Sequence, residues 1–225
     1  MSEDGVISRR AYGEGCLVAH ALDLVGDRWA LLVVRELMLG PKRFAGLRAG
    51  LPGLSANILT RRVVELEAAG VLTRRSLPPP ASVQVYALTA AGEALWPVLE
   101  AYCRWGAAMP GHDPRLFISP TALMLSMRAM AAPAAGLRVT AGFAMGGELF
   151  AARLDAEGYR VERAEALAGD VTFAGGANAV AAAVYGREPL AATAAAGAVE
   201  VAGDLALGQA FVDCFSLGRA PGAPG

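Results

Sequence analysis

Residues 40–89 constrain the fold more than any other part of the chain. This stretch holds two helix-forming segments separated by Pro52-Gly53, followed by two β-rich runs. Ser55 is placed to cap the second helix. The apolar residues at helical spacing are Phe44, Leu47 and Leu51 in the first segment and Leu59, Val63 and Leu66 in the second. The order helix, turn, helix, hairpin predicts a winged helix-turn-helix, whose second helix can lie in the major groove of DNA.

Two helices are predicted before this stretch. In residues 16–25, Leu17, Ala21 and Leu24 have the spacing of an inward-facing stripe. Residues 28–39 are predicted to form a second helix, whose ALLVV core (30–34) is apolar nearly all round, as is typical of a central buried helix.

The wing and one long helix are predicted next. The β-rich runs are residues 71–73 and 83–88, with a proline-rich tip at 78–80. Thr89 is expected to cap a helix from residue 90 to about 109, which Pro97 should kink. The large apolar residues on this helix exceed what a three-helix core can cover, which predicts a partner subunit.

Charge in this region is strongly biased. Residues 28–75 include nine basic and three acidic residues, a net charge of +6, whereas the whole chain has a formal charge of −1. A basic stripe on a helix-turn-helix is suited to neutralising DNA phosphates. The alternative is a solvated charged face without a partner.

Helical angles predict which side chains face DNA. On the second helix, Asn57, Thr60, Arg61 and Val64 point away from the apolar stripe, and Arg62 lies at its flank. Asn and Arg suit adenine and guanine edges, and a valine can touch a thymine methyl. Basic residues outside the helix are expected to clamp phosphates. The complete predicted set is Lys42, Arg43, Ser55, Asn57, Thr60, Arg61, Arg62, Arg74 and Arg75.

The first half of the chain resembles the HxlR-type bacterial transcription regulators. The resemblance is carried by Cys16, LDLVGDRWALLVVREL (22–37), GPKRF (40–44), LPGLSANILTRRVVELEAAGVLTRR (51–75) and YALTAAGEALWPVLEAYCRWG (86–106). It implies a homodimer on pseudo-palindromic double-stranded operator DNA, with the terminal helices forming most of the dimer contact. Some members of the family use a cysteine near Cys16 as a redox switch, which makes Cys16 a candidate redox residue, although its apolar neighbours are expected to raise its thiol pKa.

Length and composition predict two domains, residues 1–110 and 115–225, joined by a linker at 110–114. No apolar run has the length and side-chain size of a membrane span, and the first residues lack the apolar segment of a signal peptide. Three scattered cysteines form neither a disulfide framework nor a CxxC motif. We therefore expect a cytoplasmic protein without a membrane partner.

The second half is predicted to be an α+β domain in which helices cover an antiparallel sheet. Period-two alternation over residues 138–145 and short β-rich runs at 148–154, 159–164 and 170–173 predict a meander. Helices are expected at 178–185, 189–196 and 204–217, with a strand at 199–201. Asp204 is a candidate helix cap.

The segment DVTFAGGANAVAAAVYGREPLAATAAAGAVEVAGDLALGQAFV (170–212) resembles the C-terminal half of sterol-carrier-protein-type domains. That fold can hold a lipid-like ligand in an apolar tunnel, so the resemblance implies a small apolar effector. The candidate lining residues are Phe143, Phe150, Phe173, Val180, Val184, Leu207, Phe211 and Phe215. The alternative is that these residues simply fill the core.

Catalysis has little support in the sequence. His20 and His112 are the only histidines, and neither has a cysteine or carboxylate at metal-ligand spacing. The sequence lacks GxSxG, a P-loop and a GxGxxG that follows a strand, so we expect no enzyme, metal or cofactor.

The predicted function is a transcription regulator, most simply a repressor. The alternatives are a small-molecule carrier whose winged domain serves only in dimerisation, and an unrecognised enzyme in the C-terminal domain.

Overall fold

A computed structural model describes residues 11–76, 83–132, 135–186 and 188–217. In chain order the elements are α1 (Leu17–Val25), α2 (Ala30–Leu37), α3 (Phe44–Ala49), α4 (Ala56–Ala68), β1 (Leu72–Ser76), β2 (Gln84–Leu88), α5 (Ala90–Glu93), α6 (Trp96–Ala108), α7 (Pro120–Met130), β3 (Val139–Met145), β4 (Glu148–Asp155), β5 (Gly158–Arg163), β6 (Val171–Gly175), α8 (Ala177–Tyr185), α9 (Leu190–Ala195), β7 (Val199–Gly203) and α10 (Leu205–Val212). None of the helices in these ranges is long and apolar enough to cross a bilayer.

The N-terminal elements form a winged helix around their own core. Leu47, Leu59, Val63 and Leu66 are buried together with apolar residues of α2 and of the β1–β2 hairpin. The two strands of the hairpin pair antiparallel, with Leu72 opposite Leu88. The apolar stripe predicted for α3 and α4 is therefore the stripe that packs. The predicted tip at 78–80 lies outside the described residues.

Two expectations for the flanking helices were wrong. On α1, Leu17 and Ala21 are exposed, and Ala19 and Val25 are buried instead. The predicted long helix from 90 to 109 is two helices, because the chain turns at Ala94 and Leu95 between α5 and α6. Pro97 occupies the first turn of α6, where its missing N–H has no helical partner to lose, so it begins a helix rather than kinking one.

The C-terminal sheet is mixed, which corrects the predicted antiparallel sheet. Its strand order is β5-β4-β3-β6-β7. Neighbouring strands are antiparallel except for β3 and β6, which run parallel with Phe143 opposite Phe173. The meander β3-β4-β5 forms as predicted, but residues 164–170 then carry the chain to the far edge of β3.

Two contacts fix this crossing segment on the outer face of the sheet. Asp170 Oδ2 accepts hydrogen bonds from Thr140 N at 2.8 Å and from Thr140 Oγ1 at 2.7 Å. A Cβ at Gly142 would lie 2.5 Å from the carbonyl oxygen of Ala168, so only glycine allows the segment to pass this close.

Helix α7 was not predicted, and it joins the two halves of the molecule. Ser119 caps it by accepting a hydrogen bond of 3.0 Å from Ala122 N, and Pro120 occupies its first turn. It packs against α2 and α6 on one side and against β5 and α8 on the other. Arg128 lies 4.2 Å from the ring centroid of Trp96 on α6. Because α7 is covered on opposite sides, its sequence is apolar without a clear stripe.

The inner face of the sheet packs against α7, α8 and α10 through a cluster of aromatic rings. Phe143 and Phe173 stack with ring centroids 5.1 Å apart, and Phe211 lies 6.2 and 6.3 Å from these two rings. Phe150 and Val180, like these three phenylalanines, have no exposed surface. These five residues, which are among those expected to line a tunnel, therefore lie in the core at this interface.

Candidate DNA-binding surface

Helix α4 is held in place by its cap and its buried stripe. Ser55 Oγ accepts a hydrogen bond of 3.3 Å from Ile58 N at the start of the helix. Leu59, Val63 and Leu66 are at most 1% exposed. Because successive residues are about 100° apart around a helix, this burial directs the opposite side of α4 to solvent.

The exposed side of α4 carries the residues that the helical angles predicted. Asn57, Thr60, Arg61 and Val64 are all exposed. Thr60 Oγ1 donates a hydrogen bond of 2.9 Å to Ala56 O, so its hydroxyl can still accept one from a base or a phosphate-bound water. The side chains that read bases in known complexes are of these types.

Ile58 is an exposed residue of α4 that the sequence reasoning missed. It is 44% exposed beside the polar face. An isoleucine outside the buried stripe at the start of a recognition helix could have signalled an apolar contact with a thymine methyl.

Two arginines on α4 have different environments. The Arg61 side chain is 57% exposed, and its Nε donates a hydrogen bond of 2.8 Å to Glu65 Oε1. This hydrogen bond and the charge of Glu65 raise the pKa of Arg61. Arg62 is buried, and its Nη1 pairs with Asp27 and lies 2.5 Å from Glu65 Oε2. The prediction that Arg62 contacts DNA is therefore wrong, because its guanidinium is already paired with Asp27 and Glu65 of the winged helix.

The wing presents two further arginines. Arg74 and Arg75 are exposed on β1. Arg74 Nε pairs with Glu67 Oε2 at 2.9 Å, and its guanidinium carbon lies 5.8 Å from the ring centroid of Tyr86. Arg43, at the N-cap of α3, is also exposed. Within the described ranges neither Arg43 nor Arg75 forms an ion pair, so both remain available to phosphates.

Lys42 does not lie on this surface, which corrects its expected role as a phosphate clamp. Its backbone N–H and C=O pair with Tyr86 of β2, so the residue extends the wing sheet. Its ammonium is buried, 2.8 Å from Glu36 Oε2 and 3.3 Å from Glu148 Oε2. The Lys42 ammonium, which was expected to bind a DNA phosphate, is therefore already paired with two carboxylates.

Glu36, Lys42, Glu148 and Arg163 form an ion cluster between the winged helix and the C-terminal sheet, in which Glu36 and Lys42 are buried and the other two are partly exposed. Arg163 Nη2 pairs with Glu148 Oε2, which links β5 to β4. Glu36 Oε1 accepts hydrogen bonds from Ser119 Oγ at 2.6 Å and from Arg35 Nη2 at 2.9 Å. The cluster connects α2 and the wing to β4, β5 and the start of α7.

Cys16 is exposed at the N-cap of α1. The backbone N–H groups of Ala19 and Val18 lower the pKa of its thiol, although neither reaches the sulfur in hydrogen-bond geometry. The direction is opposite to the one expected from its apolar neighbours, because the helix terminus outweighs them at an exposed site. The described residues contain no cluster of His, Cys, Asp or Glu side chains able to hold a metal ion.

The residues predicted to line a ligand site lie in or against the core of the C-terminal half. Phe143, Phe150, Phe173, Phe211 and Val180 have no exposed surface, and Val184 and Phe215 are buried as well. Leu207 is partly buried against the same core. The phenylalanine rings of the sheet and of α10 contact one another among these residues. That this group of residues binds an apolar ligand stays a prediction.

A winged helix that exposes Asn57 and Arg61 on its second helix and two arginines on its wing has the features of a DNA-binding protein of the helix-turn-helix class. The chain belongs to the HxlR-like helix-turn-helix family, whose model matches residues 24–113. It is 38% identical to an uncharacterised HTH-type transcriptional regulator of Synechocystis sp. over 95 residues, which are 42% of this chain and 70% of that protein. It is 39% identical to the regulator YvaP of Bacillus subtilis over 85 residues, 38% of this chain and 79% of YvaP.

A solved structure is also similar to part of the chain. The reduced form of the transcriptional regulator YodB from B. subtilis is 33% identical, with a TM-score of 0.39, and covers 44% of this chain and all of YodB. The relatives are HTH-type transcriptional regulators, so this chain is a DNA-binding regulator of transcription. The family match ends before α7, and the mixed sheet with its helices follows it.

Proposed function

We propose that this protein is a homodimeric repressor that binds a pseudo-palindromic operator through α4 of each subunit. The observation that carries the proposal is the exposed face of α4, where Asn57, Thr60 and Arg61 point away from a fully buried stripe. Arg61 reads a guanine and Asn57 an adenine in the major groove, while Arg43, Arg74 and Arg75 bind flanking phosphates. Repression needs only occupancy of the operator, without a further contact to polymerase.

Exposed apolar side chains on α1 and α6 support the homodimer. Leu17 and Val18 on α1 are 85% and 67% exposed, and Tyr102 and Trp105 on α6 are 53% and 63% exposed. Side chains of this size on two helices outside the DNA-facing surface are suited to cover each other across a two-fold axis. The dimer then sets the distance between the two copies of α4, and with it the spacing of the half-sites.

The C-terminal domain has a structural role in this proposal. Its elements β6, α8, α9, β7 and α10 follow one another in the order found in sterol-carrier-protein-type domains, which supports a shared fold. The proposal does not depend on the predicted apolar effector, whose candidate ligand residues lie in or against the core. The ion cluster and α7 attach this domain to the winged helix.

Selection from a random double-stranded DNA library with the full-length protein tests the proposal. We expect a motif with two inverted half-sites, each containing a guanine whose enrichment is lost with Arg61→Ala. Arg160→Ala is the matched control, because Arg160 is 59% exposed and also pairs with a carboxylate, Glu157, but lies on β5. Loss of Arg61 should weaken binding by about tenfold or more, and loss of Arg160 should leave the motif unchanged. A motif without inverted symmetry, or one that Arg61→Ala leaves intact, would contradict the proposal.

A further inference from the structure

Glu65 links the two arginines of α4. Its side chain is only 8% exposed, although it lies one turn after the exposed Arg61. Oε1 accepts a hydrogen bond of 2.8 Å from Arg61 Nε, and Oε2 lies 2.5 Å from Arg62 Nη1. Arg62 in turn pairs with Asp27, in the connection between α1 and α2. The chain of contacts Asp27–Arg62–Glu65–Arg61 therefore connects an exposed guanidinium to the body of the winged helix.

This arrangement differs from an ordinary surface ion pair. On α6, Arg104 and Glu100 have the same i, i+4 spacing, and Arg104 is likewise 57% exposed. Glu100, however, is 31% exposed, and no second cation is paired with it among the described residues. Exposed pairs of that kind order their side chains weakly, because both partners can move into solvent. Glu65 lacks that freedom, since it is buried and already paired with Arg62.

The hydrogen bond at Nε determines which part of Arg61 is free. Only Nε is engaged with Glu65, so the two terminal nitrogens, Nη1 and Nη2, can still donate. A guanine edge offers two acceptors, O6 and N7, which a guanidinium can bind in a bidentate way. Holding Arg61 near one geometry lowers the conformational entropy that the side chain loses on binding.

The charge of Glu65 acts in the same direction. A carboxylate beside the DNA-facing side of α4 opposes the general attraction between Arg61 and phosphates. It therefore weakens binding to unrelated DNA while it supports the oriented contact with guanine. Both effects increase the difference between the correct and incorrect sequences rather than the total affinity.

We propose that Glu65 is a positioning residue for sequence discrimination, which holds Arg61 so that its terminal nitrogens face a guanine of the operator. This inference rests on the proposed function, in which Arg61 reads a base. Glu65 itself contacts no DNA and acts only through Arg61.

The test measures discrimination by full-length variants at a single salt concentration. Dissociation constants are determined for the selected operator, for the operator with the guanine of each half-site replaced, and for an unrelated duplex. We expect Glu65→Gln to lower the preference for the guanine about threefold to tenfold and to leave binding to unrelated DNA unchanged or tighter. Glu67→Gln is the matched control, because Glu67 lies on the same helix but pairs with Arg74 of the wing. It should leave the preference for guanine unchanged.

A double-mutant cycle separates positioning from a general structural effect. In the Arg61→Ala background, Glu65→Gln should change the preference for guanine by less than about twofold. Glu65→Asp provides a second variant that keeps the charge but shortens the side chain by one methylene. It should lower the preference for guanine while binding to unrelated DNA stays at the wild-type value, which a loss of folding would not produce.

The outcomes distinguish this inference from the proposed function. A preference that depends on Arg61 but is unchanged in both Glu65 variants overturns the positioning role alone. An equal effect of Glu65→Gln with and without Arg61 overturns it as well, since the residue would then act by another route. A wild-type protein that selects no sequence contradicts both proposals.

Discussion

Glu36 and Lys42 form an ion pair at the boundary between the winged helix and the C-terminal sheet. The Glu36 carboxylate has no exposed surface, and its Oε2 lies 2.8 Å from Lys42 Nζ. Lys42 also pairs with Glu148 on β4, 106 positions further along the chain. Since the backbone of Lys42 pairs with Tyr86, the same residue belongs to the wing and contacts the C-terminal domain.

Replacing Lys42 by Met should strongly destabilise the protein. The substitution keeps the length of the side chain but removes the cation at Glu36 Oε2, so that this buried carboxylate keeps its ion pair with Arg35 and loses the one with Lys42. We expect the free energy of unfolding to fall by about 1.5–3 kcal/mol, measured by denaturant unfolding. Arg43→Met is the control: Arg43 is the next residue and is exposed, so its loss should change stability by less than about 0.5 kcal/mol. Equal effects of the two variants would show that the ion pair does not stabilise the fold.

The winged helix was predictable from the sequence because its signals are local. Ser55, the apolar stripe of α4 and the turn at Pro52-Gly53 act within a few residues of one another, and each has its expected place. The environment of Lys42 was not predictable, because a count of charges does not show which lysine meets a distant carboxylate. Arg62 lies about 60° from the centre of the buried stripe, so its burial could have been inferred from the helical angle alone.

Most C-terminal strands and helices were predicted close to their observed bounds, but the helix predicted over 204–217 ends at Val212, and the pairing of the sheet was not predicted. Strand β6 lies next to β3 rather than β5. Alternation and turn residues indicate where a strand begins and ends, whereas its partner depends on contacts such as that between Asp170 and Thr140. Helix α7 lacked the periodic stripe on which the other helix predictions depended, although Ser119-Pro120 was a readable start signal.

Ser119→Ala should cost more stability than Ser55→Ala. Both serines cap a helix by accepting a hydrogen bond from a backbone N–H, at 3.0 Å in α7 and 3.3 Å in α4. Ser119 Oγ additionally donates a hydrogen bond of 2.6 Å to the buried Glu36 carboxylate. Loss of a cap costs about 1 kcal/mol, and loss of a hydrogen bond to a charged group costs about 1.5–3 kcal/mol more. Thermal and denaturant unfolding of the two variants measure the difference, and equal losses would show that the hydrogen bond from Ser119 to Glu36 does not stabilise the fold.

Asp170 should make the C-terminal domain sensitive to acid. Hydrogen bonds from the backbone N–H and the hydroxyl of Thr140 lower the pKa of Asp170 in the folded protein. Because the pKa of Asp170 is lower in the folded state, its carboxylate is protonated at a higher pH in the unfolded state as the pH falls. The stabilisation is thus fully present above the unfolded pKa of about 3.9 and is lost as the pH falls through the folded value.

The comparison of wild type with Asp170→Asn isolates this contribution. The difference between their free energies of unfolding should be constant above about pH 5 and should shrink as the pH is lowered. Other carboxylates titrate in both proteins and cancel in the difference. Glu200→Gln, at an exposed position on β7, is the control for a general effect of replacing a carboxylate by an amide in this sheet. A difference that does not vary with pH for Asp170→Asn would show that Thr140 does not hold the ionised carboxylate.

Trp105→Glu should convert the proposed dimer into a monomer and weaken operator binding. Trp105 is 63% exposed on α6, so the substitution removes little packing within one subunit. In a dimer the same position would be covered, and a glutamate on each side of the two-fold axis would place like charges close together in an apolar contact.

Glu100→Gln tests for a general effect of changing α6, because Glu100 is partly exposed on the same helix. Sedimentation velocity reports the mass, and thermal unfolding shows whether the single subunit remains folded. We expect a folded monomer that binds one half-site weakly, since the second copy of α4 is no longer held at the spacing of the operator. If the Trp105→Glu protein remains a dimer, a surface other than that of Trp105 holds the two recognition helices together. The same conclusion follows if the wild type sediments as a monomer and still selects an inverted repeat.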